Sequence, residues 1–594
     1  MTSHSRGRWT PFWVSLTFAA VFIALRIFYR LFFGSFSWQA IGQAASLAFP
    51  FALIIVICGF LSAVVDVRKL LPSMSVLRYG RSVGTALAIA LSSYPTLIHQ
   101  VKQLDGARKL RKMSSRSAFL VPLLEHTIER AVALAAAMDL RGFGTRSHST
   151  ADPGDITFTN FSLSFTNTVV LRDVNLTVPA GSLTVIAAQT GSGKTALLES
   201  IAGLSQHFHK GNVEGSLFIG KIDRSTVAPR ETAGLIGFVS QDVRLGFAAA
   251  TAREELEFGL RVTGHSRATA QSRAGELIDQ FSLTPFADLS IELLSSGEAT
   301  RVAIAAALAQ QPQILLLDEP LADLDQSSRT ELITLLQDLH TTTATTIVIA
   351  EHHTAGLEAL DPTWLTLVSG VVKLGRYTPA PLSSPPRTSA VVGSDEILQV
   401  SNLSFSHGTR NIFTDVSVTA HVGEVIAITG ANGVGKSTLL SQLALTYPAQ
   451  TVLVPELVSS LFIAETLEEE LLRADDIACV SGTGLTALTF WSIMGREESV
   501  ELLGTHPRDL SAGTQLALAI ALQLSWKPQV ILIDEPTRGL DSPSREAMAE
   551  VLRCVAETGT AVIVASHDDV FVTDLGCRVL NMHNGVLTPM AVKA

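Results

Sequence analysis

The stretch Gly430-Ala-Asn-Gly-Val-Gly-Lys-Ser437 follows the apolar run Val425-Ile-Ala-Ile-Thr429 and precedes a leucine-rich segment. It matches the pattern G-x-x-x-x-G-K-[ST] in full. Between a strand and a helix, such a loop holds phosphate groups with its backbone N–H groups, while the lysine adds a positive charge and the last hydroxyl binds Mg²⁺. The stretch therefore predicts an α/β domain with a parallel sheet and crossover helices, in which this loop binds a nucleotide.

A related loop occurs earlier in the chain, after the apolar run Leu183-Thr-Val-Ile-Ala-Ala188. Ala188 replaces the leading glycine, and because alanine is the smallest possible change we expect phosphate binding to survive. The two loops together supply the candidate phosphate-binding residues, which are Gly191, Ser192, Gly193, Lys194, Thr195, Gly430, Asn432, Gly433, Gly435, Lys436, Ser437 and Thr438.

Each loop is followed by the same series of motifs. The spacing from the serine of a Leu-Ser-x-Gly motif to an aspartate is 318−295 = 23 in the first series and 534−511 = 23 in the second. The aspartate ends an apolar run, and a glutamate follows it directly. The repeated members are Ser295 and Ser511, Gly297 and Gly513, Asp318 and Asp534, Glu319 and Glu535, and His352 and His567. Chance does not repeat so many elements in register, so the sequence predicts two domains that use ATP.

The roles of these residues follow from phosphoryl-transfer chemistry, which needs mainly positioning and charge stabilisation. Glu319 and Glu535 are predicted to polarise the attacking water, and His352 and His567 to contact the γ-phosphate as further catalytic residues. Carboxylate, amide and hydroxyl oxygens are suitable ligands for Mg²⁺. The candidate metal ligands are Thr195, Gln241, Asp318, Ser437 and Asp534.

The series resembles that of ATP-binding cassette (ABC) ATPases. The resemblance implies that the helix opened by Leu-Ser-x-Gly faces the γ-phosphate bound by the other domain. One site would then combine Lys194 with Ser511 and Gly513, and the other would combine Lys436 with Ser295 and Gly297. Both serines are also suitable N-caps of their helices. Phe165 lies where the family stacks an aromatic ring on adenine, although core packing explains this residue equally well.

The two domains are unequal. From the lysine to the Leu-Ser-x-Gly serine, the first spans 295−194 = 101 residues and the second 511−436 = 75. The second is therefore predicted to lack sheet elements that follow the phosphate loop. In addition, Val239-Ser-Gln241 corresponds to Val454-Pro-Glu456, so that a carboxylate replaces the amide near Mg²⁺. This predicts asymmetric sites rather than one inactive site.

The N-terminal part of the chain has a different composition. No charged residue occurs from Leu31 to Val65, which is longer than the roughly 20 apolar residues that cross a bilayer. We predict one membrane span within residues 38–65 and a second over Pro11–Phe33, for which a cleaved signal peptide is the alternative. A third apolar run, residues 82–99, has basic residues on both sides, so we expect it not to cross.

The region that precedes the first ATPase domain resembles the coupling region of the T component of energy-coupling-factor (ECF) importers. Ala137-Met-Asp-Leu-Arg-Gly-Phe143 is close to the second Ala-Arg-Gly-like motif of that family, and Ala107-Arg-Lys-Leu-Arg-Lys112 is similar to the first without its glycine. The resemblance implies that Arg111 and Arg141 dock on the ATPase domains. Packing within a helical bundle is the alternative. The module is shorter than the family's, so its completeness stays open.

These observations predict an α-helical membrane and coupling module followed by two α/β P-loop ABC ATPase domains, the second one shortened. The proposed ranges are residues 1–145 for the module, 155–375 and 397–594 for the ATPase domains, and 376–396 for a Pro/Ser-rich linker. The net charge of −10 and the absence of a basic face argue against nucleic acid as a partner. Four cysteines without paired spacing exclude a disulfide framework or zinc site.

The resemblance implies an ATPase that energises an ECF importer in the cell membrane. Its cofactors would be ATP and Mg²⁺, and its ATPase domains would lie in the cytoplasm. A separate S component would capture a vitamin, a vitamin precursor or a metal ion, and an additional T component is a further candidate partner besides the lipid bilayer. The alternatives are a membrane-anchored tandem ATPase of another ABC transporter and a tandem-cassette regulator of translation. The second alternative predicts a charged helical linker, whereas residues 376–396 are rich in Pro and Ser.

Overall fold

The computed structural model describes residues 10–33, 38–64, 106, 109, 111, 120–143, 154–165, 168–189, 191–322, 324–352, 354–376, 393–407, 410–495, 497–540 and 542–590. The chain divides into two compact units, residues 1–95 and 96–594. The predicted apolar run 82–99 lies outside the described residues, as does most of the linker 376–396.

The first unit contains the helices α1 (Thr10–Phe33) and α2 (Trp38–Val64), which pack against each other with the rings of Phe22 and Phe51 6.5 Å apart. Among the residues described, none of the helices combines the length and apolar character needed to cross a membrane. The prediction of a membrane module is therefore wrong. A run without charge is not the same as a continuous apolar run: polar side chains and Pro50 interrupt α2, and Arg26 interrupts α1.

Among the described helices and strands of the second unit, helix α3 (Leu120–Leu140) comes first and is followed by a first α/β domain. Its strands form an antiparallel sheet of order β2-β1-β4-β5 and a mainly parallel sheet of order β10-β9-β3-β8-β7-β6. The strands are β1 (Ile156–Phe165), β2 (Thr168–Val178), β3 (Leu183–Ala188), β4 (Asn212–Ile219), β5 (Ile222–Asp223), β6 (Ile236–Val239), β7 (Ile314–Asp318), β8 (Thr346–Glu351), β9 (Thr363–Val368) and β10 (Val371–Leu374). The helices are α4 (Lys194–Ala202), α5 (Leu204–His207), α6 (Ala252–Val262), α7 (Arg267–Gln280), α8 (Ser296–Leu308) and α9 (Gln326–Thr342).

The second α/β domain has a two-stranded antiparallel ribbon, β11-β12, and a mainly parallel sheet of order β14-β15-β16-β13-β17-β18. The strands are β11 (Glu396–His407), β12 (Arg410–His421), β13 (Val425–Thr429), β14 (Thr451–Val454), β15 (Val530–Asp534), β16 (Ala561–Ala565), β17 (Arg578–His583) and β18 (Val586–Met590). The helices are α10 (Lys436–Thr446), α11 (Leu467–Ile477), α12 (Leu485–Met494), α13 (Val500–Leu503), α14 (Ala512–Leu524), α15 (Ser542–Glu557) and α16 (Asp569–Leu575).

The central strands of both sheets are apolar because both of their faces are covered. Every residue of β3, β7 and β8 is buried, and so is every residue of β15 and β16. Strands buried on both faces read as continuous apolar runs rather than alternating ones, which is why the sequence identifies them. Since these strands are parallel neighbours, the residues that follow them meet at one edge of each sheet.

The shortening of the second domain falls where the lysine-to-serine spacing places it. In the first domain, β4 and β5 lie between α5 and β6 and extend the antiparallel sheet to four strands. In the described part of the second domain, the chain passes from α10 directly to β14, and β11 pairs with β12 alone.

Candidate active sites

The phosphate loops have the same local construction in both domains. Gly193 and Gly435 precede α4 and α10 with φ angles of 104° and 112°, a left-handed backbone that glycine adopts without strain. Lys194 Nζ lies 3.1 Å from the carbonyl oxygens of Ala188 and Gln189. Lys436 Nζ lies 2.8 Å from the carbonyl oxygen of Gly430. Each loop therefore presents a helix N-terminus and a lysine charge on the same side, as phosphate binding requires.

The two loops differ at their first position. Gly430 has a φ of +145°, and a Cβ atom added there would lie 2.4 Å from the carbonyl oxygen of Met582. Ala188, its counterpart, is the last residue of β3 and is buried in the core. The first loop thus accommodates a methyl group that the second cannot.

A hydroxyl and a carboxylate lie together at each predicted magnesium position. Thr195 Oγ1 donates a hydrogen bond to Asp318 Oδ2 at 2.8 Å, and Ser437 Oγ donates to Asp534 Oδ1 at 3.0 Å. Burial raises the pKa of both carboxyl groups to about 7. The other oxygen of Asp318, Oδ1, is buried and has no hydrogen-bond partner among the described residues. A buried carboxylate oxygen beside a hydroxyl fits Mg²⁺, which would be held by this pair and would neutralise phosphate charge.

The predicted catalytic glutamates have an unusual backbone. Glu319 and Glu535 have φ angles of 48° and 46°, in the left-handed region that costs a residue with a side chain about 1–3 kcal/mol. Their N–H groups are held by the carbonyl oxygens of Ala350 and Ala565, at 2.9 and 2.8 Å. Strain of this kind persists where the surrounding structure imposes it. The left-handed backbone turns both carboxylates towards the phosphate loops.

Each glutamate lies between the loop lysine and the predicted histidine. Glu319 Oε1 is 3.1 Å from Lys194 Nζ, and its Oε2 is 3.3 Å from His352 Nδ1. Burial alone would raise the pKa of Glu319, but the hydrogen bond and charge of His352 outweigh it, so that the pKa is lowered. In the second site Glu535 is 3.7 Å from Lys436 Nζ and 2.9 Å from His567 Nδ1. The structure therefore brings together each predicted Lys–Glu–His set.

The position of Gln241 and Glu456 distinguishes the two sites. Gln241 Nε2 donates a hydrogen bond to Glu319 Oε2 at 3.0 Å. Glu456 instead forms an ion pair with Arg538, at 2.7 Å between Oε1 and Nη1. The charge added by Glu456 is thus accompanied by a positive charge three residues after Glu535.

The Leu-Ser-x-Gly serines cap their helices, as the alternative interpretation predicted. Ser295 forms a reciprocal capping box with Glu298 at the start of α8, and Ser511 Oγ accepts the N–H of Thr514 at the start of α14. Gly297 and Gly513 lie in the first turns of the same helices.

Ser295 also lines a cavity of about 620 Å³ that the two domains share, together with Lys436, Glu535 and His567. Beside this cavity, the N–H of Asn432 lies 3.4 Å from Asp325 Oδ2 of the first domain. The structure therefore brings Ser295 of the first domain together with Lys436, Glu535 and His567 of the second. The pairing of Lys194 with Ser511 and Gly513 stays a prediction.

Phe165 is half-buried and packs against the core of the first domain, between the two sheets. This contact agrees with the core-packing alternative, and adenine stacking by this residue stays a prediction.

The predicted coupling arginines contact the two ATPase domains at equivalent places. Arg111 is buried and forms an ion pair with Glu470 of α11. Arg141, at the end of α3, lies 2.6 Å from Glu255 of α6. In each case the other carboxylate oxygen accepts two backbone N–H groups, from Ala248 and Ala249 or from Ile463 and Ala464.

Sequence reasoning missed Glu255 and Glu470 as the partners of the two arginines. The available signal was a repeated helix start, Thr251 to Glu255 and Thr466 to Glu470, in which the threonine caps the helix. The same reasoning also missed Arg244 and Gln515, which hold the backbone before Ser295 and Ser511.

Two P-loop domains, each with its own lysine, Asp-Glu pair and histidine, define a tandem nucleotide-hydrolysing ATPase. A family model for ABC transporters matches residues 171–322 and 413–538. A Streptomyces avermitilis protein described as "Putative ABC transporter ATP-binding protein" is 30% identical over 70% of this chain and 89% of its own length. The chain belongs to the ATP-binding proteins of the ABC transporter family. Domains of this family bind ATP, generally with Mg²⁺, and hydrolyse it.

Two further relatives are informative. The Bacillus subtilis protein described as "Putative HMP/thiamine import ATP-binding protein YkoD" is 26% identical over 72% of this chain and 89% of its own length. A solved structure titled "Model of ribosome-bound archaeal Pelota and ABCE1" aligns with a TM-score of 0.52 at 21% identity, over 72% of this chain and 78% of that chain. At that identity the likeness concerns the tandem fold alone.

Replacing Gly430 by alanine should weaken ATP binding at the second site by about tenfold or more. The added methyl group would clash with the Met582 carbonyl oxygen, and the left-handed backbone at this position costs a residue with a side chain about 1–3 kcal/mol. Equilibrium binding of labelled ATP to a chain whose first site is disabled by Lys194→Ala measures this effect. Gly264→Ala is the matched control, because it has a φ of +94° but no atom within 4 Å of the added Cβ. Equal affinity in the Gly430→Ala and parent chains would contradict the prediction.

Glu319→Gln and Glu535→Gln should each reduce ATP turnover without abolishing it, and the double variant should lose about 100-fold or more, as expected for removal of a general base. Phosphate release per chain, measured with ATP binding checked in parallel, tests this expectation. If Glu535→Gln left turnover unchanged while Glu319→Gln abolished it, the second site would be structural only.

Proposed function

We propose that this chain is the ATP-hydrolysing energy-coupling subunit of an ECF-type importer, which drives uptake of a substrate captured by a separate S component in the membrane. The observation that carries the proposal is the pair of equivalent contacts of Arg111 with Glu470 and of Arg141 with Glu255. The sequence resemblance implies a docking role for the same two arginines.

Burial makes these ion pairs strong constraints on the position of the coupling segment. The side chains of Glu255 and Glu470 are fully buried, and Arg111 is only 6% exposed. Removing one partner of a buried ion pair costs about 3–5 kcal/mol, because the remaining charge stays in a poorly hydrated place. A segment held in this way moves together with the ATPase domains.

The contacts also touch the part of each domain that senses the nucleotide. Glu255 accepts the N–H groups of Ala248 and Ala249, which follow Gln241 in the chain, and Gln241 donates to Glu319. The methyl group of Ala137 in α3 packs near Gly246 in the same segment. A change of Gln241 on ATP binding would therefore reach α3 through a short, packed path.

Helix α3 offers a surface for the membrane partner. Leu124, Ile128 and Val132 recur at intervals of four, which places them on one face, and they are 60%, 61% and 41% exposed. An exposed apolar stripe beside the docked arginines suits a hydrophobic membrane component. An additional T component fits this role, since ATPases of ABC transporters typically partner with membrane components.

The substrate class rests on the resemblance and on the B. subtilis relative, which is described as an HMP/thiamine import ATP-binding protein. On this basis the substrate is a vitamin, a vitamin precursor or a metal ion. The ATPase domains work at the cytoplasmic face of the cell membrane, where ATP is available, and the partner chains supply the transport path.

The first experiment is to purify the tagged chain from its native membrane in mild detergent and to identify the proteins that accompany it by mass spectrometry. A small, very hydrophobic protein with a bound vitamin or metal ion is the expected partner. Recovery of ribosomal proteins instead, or of an exporter's transmembrane subunit, would overturn the importer assignment.

Arg141→Ala should reduce partner recovery and partner-stimulated ATP hydrolysis by at least about tenfold, because loss of a buried ion pair costs about 3–5 kcal/mol. This cost arises at α3 and not at the phosphate loops. ATP binding by the isolated chain should therefore stay within about twofold of its original value. The matched control is Arg253→Ala. It removes an exposed arginine from α6, the helix that carries Glu255, and this arginine lies 2.7 Å from Asp288. A similar loss in both variants would indicate general destabilisation of α6.

A further inference from the structure

The two Leu-Ser-x-Gly loops are held by different residues. In the first domain, Arg244 donates hydrogen bonds to the carbonyl oxygens of Ile291 and Leu294, the first at 3.1 Å. In the second domain, Gln515 Nε2 lies 2.8 Å from the carbonyl oxygens of both Arg508 and Leu510. Leu294 and Leu510 directly precede the serines that begin the motif.

The two donors occupy non-equivalent positions. Val239 and Val454 pair with the residues before Asp318 and Asp534, so the segments that follow them correspond residue by residue. Arg244 then corresponds to Ser459. Gln515 lies four residues after Ser511, where the first domain has Ala299. Among the described residues, Arg244 is thus the side-chain donor seen in the first domain and Gln515 the one seen in the second, and they come from different positions.

This difference decides what each loop is attached to. Arg244 lies three residues after Gln241, whose amide contacts Glu319 in the first site. Its guanidinium group lies at the wall of the second site's cavity, beside Ser295. One short segment of the first domain thus contacts the catalytic carboxylate of one site and the serine loop of the other.

In the described part of the second domain, the corresponding segment makes different contacts. Glu456 is paired with Arg538, and Ser459 is too short to span the distance that the arginine covers. Gln515 belongs to α14 itself, so the loop before Ser511 is attached to the helix that it begins.

We propose that Arg244 is a positioning residue that couples the two ATP sites: occupancy of the first site sets the placement of Ser295 over the second site through Gln241 and Arg244. The inference rests on the proposed ATPase function and needs no transport partner. Because binding coupling is reciprocal, ATP at the second site strengthens ATP binding at the first by the same factor. Charge-assisted hydrogen bonds such as those of Arg244 are strong enough to carry a coupling of about 5–150-fold.

The test measures the coupling factor directly. The parent is the full chain with both glutamates in place, so that Gln241 keeps its contact with Glu319, and a labelled non-hydrolysable ATP analogue is used in every measurement to prevent turnover. In that parent, the two association constants for the two sites are multiplied together. The Lys436→Ala chain binds at the first site alone and the Lys194→Ala chain at the second site alone, and each gives one association constant. The coupling factor is the parent's product divided by the product of these two constants. We expect a factor of at least about five.

Two variants separate coupling from simple support of the loop. Arg244→Ser should weaken the second site by about tenfold and bring the factor close to one. Arg244→Ser combined with Ala299→Gln gives the first domain the serine and the glutamine that the second domain has at Ser459 and Gln515. This double variant should restore the ATP affinity of the second site. Its coupling factor should stay close to one. Ser459→Ala is the matched control and should leave the factor at the parent value.

A factor near one in the parent, or a parent-like factor in the Arg244→Ser, Ala299→Gln chain, would overturn the proposal. If the glutamine does not fit at the buried Ala299 position, Arg244→Lys and Arg244→Met replace the pair. Lysine keeps a charged donor and should retain part of the coupling, methionine should lose it, and equal factors would overturn the proposal. Failure of the parent to bind ATP at all would instead refute the proposed ATPase function.

Discussion

The parallel alignment of a few buried strands is the constraint on which the rest of the structure depends. In each domain the phosphate loop, the Asp-Glu pair and the histidine follow three neighbouring strands, which in the first domain pair in register through Val185, Ile349 and Leu317. Because parallel strands end at the same edge, residues more than 100 positions apart meet there without further guidance. The carboxylates are buried at that edge, which raises the pKa of Asp318 and Asp534 and makes a cation a favourable occupant.

Much of this arrangement could be predicted because it is local in sequence. A loop of eight residues indicates its own strand and helix, and an Asp-Glu pair after an apolar run indicates the edge of a sheet. The shortened second domain also follows from counting residues between motifs. The serine caps and the shared cavity are compatible, so the two interpretations of Ser295 were not in competition.

What could not be predicted depends on contacts between distant segments or on finer chemistry. The pairing of Arg141 with Glu255 joins residues 255−141 = 114 positions apart, and nothing near either residue specifies the other. The contact of Arg538 with Glu456, 82 positions apart, is of the same kind. The membrane prediction is wrong for a different reason: the chain carries no charge from Leu31 to Val65, yet among the described residues no helix is long and apolar enough to cross a membrane.

The arrangement of Arg111 and Arg141 limits how far the two ATPase domains can move apart. The arginines are 141−111 = 30 residues apart in one chain, yet each is seated on a different domain. Helix α3 accounts for 21 of these residues and, at about 1.5 Å per residue, is a nearly fixed length rather than an elastic one. Opening the shared cavity beyond the reach of this 30-residue stretch of chain must therefore break one of the two buried ion pairs. The amplitude of opening is set by a covalent length, and two separate polypeptides in the same positions would have no such limit.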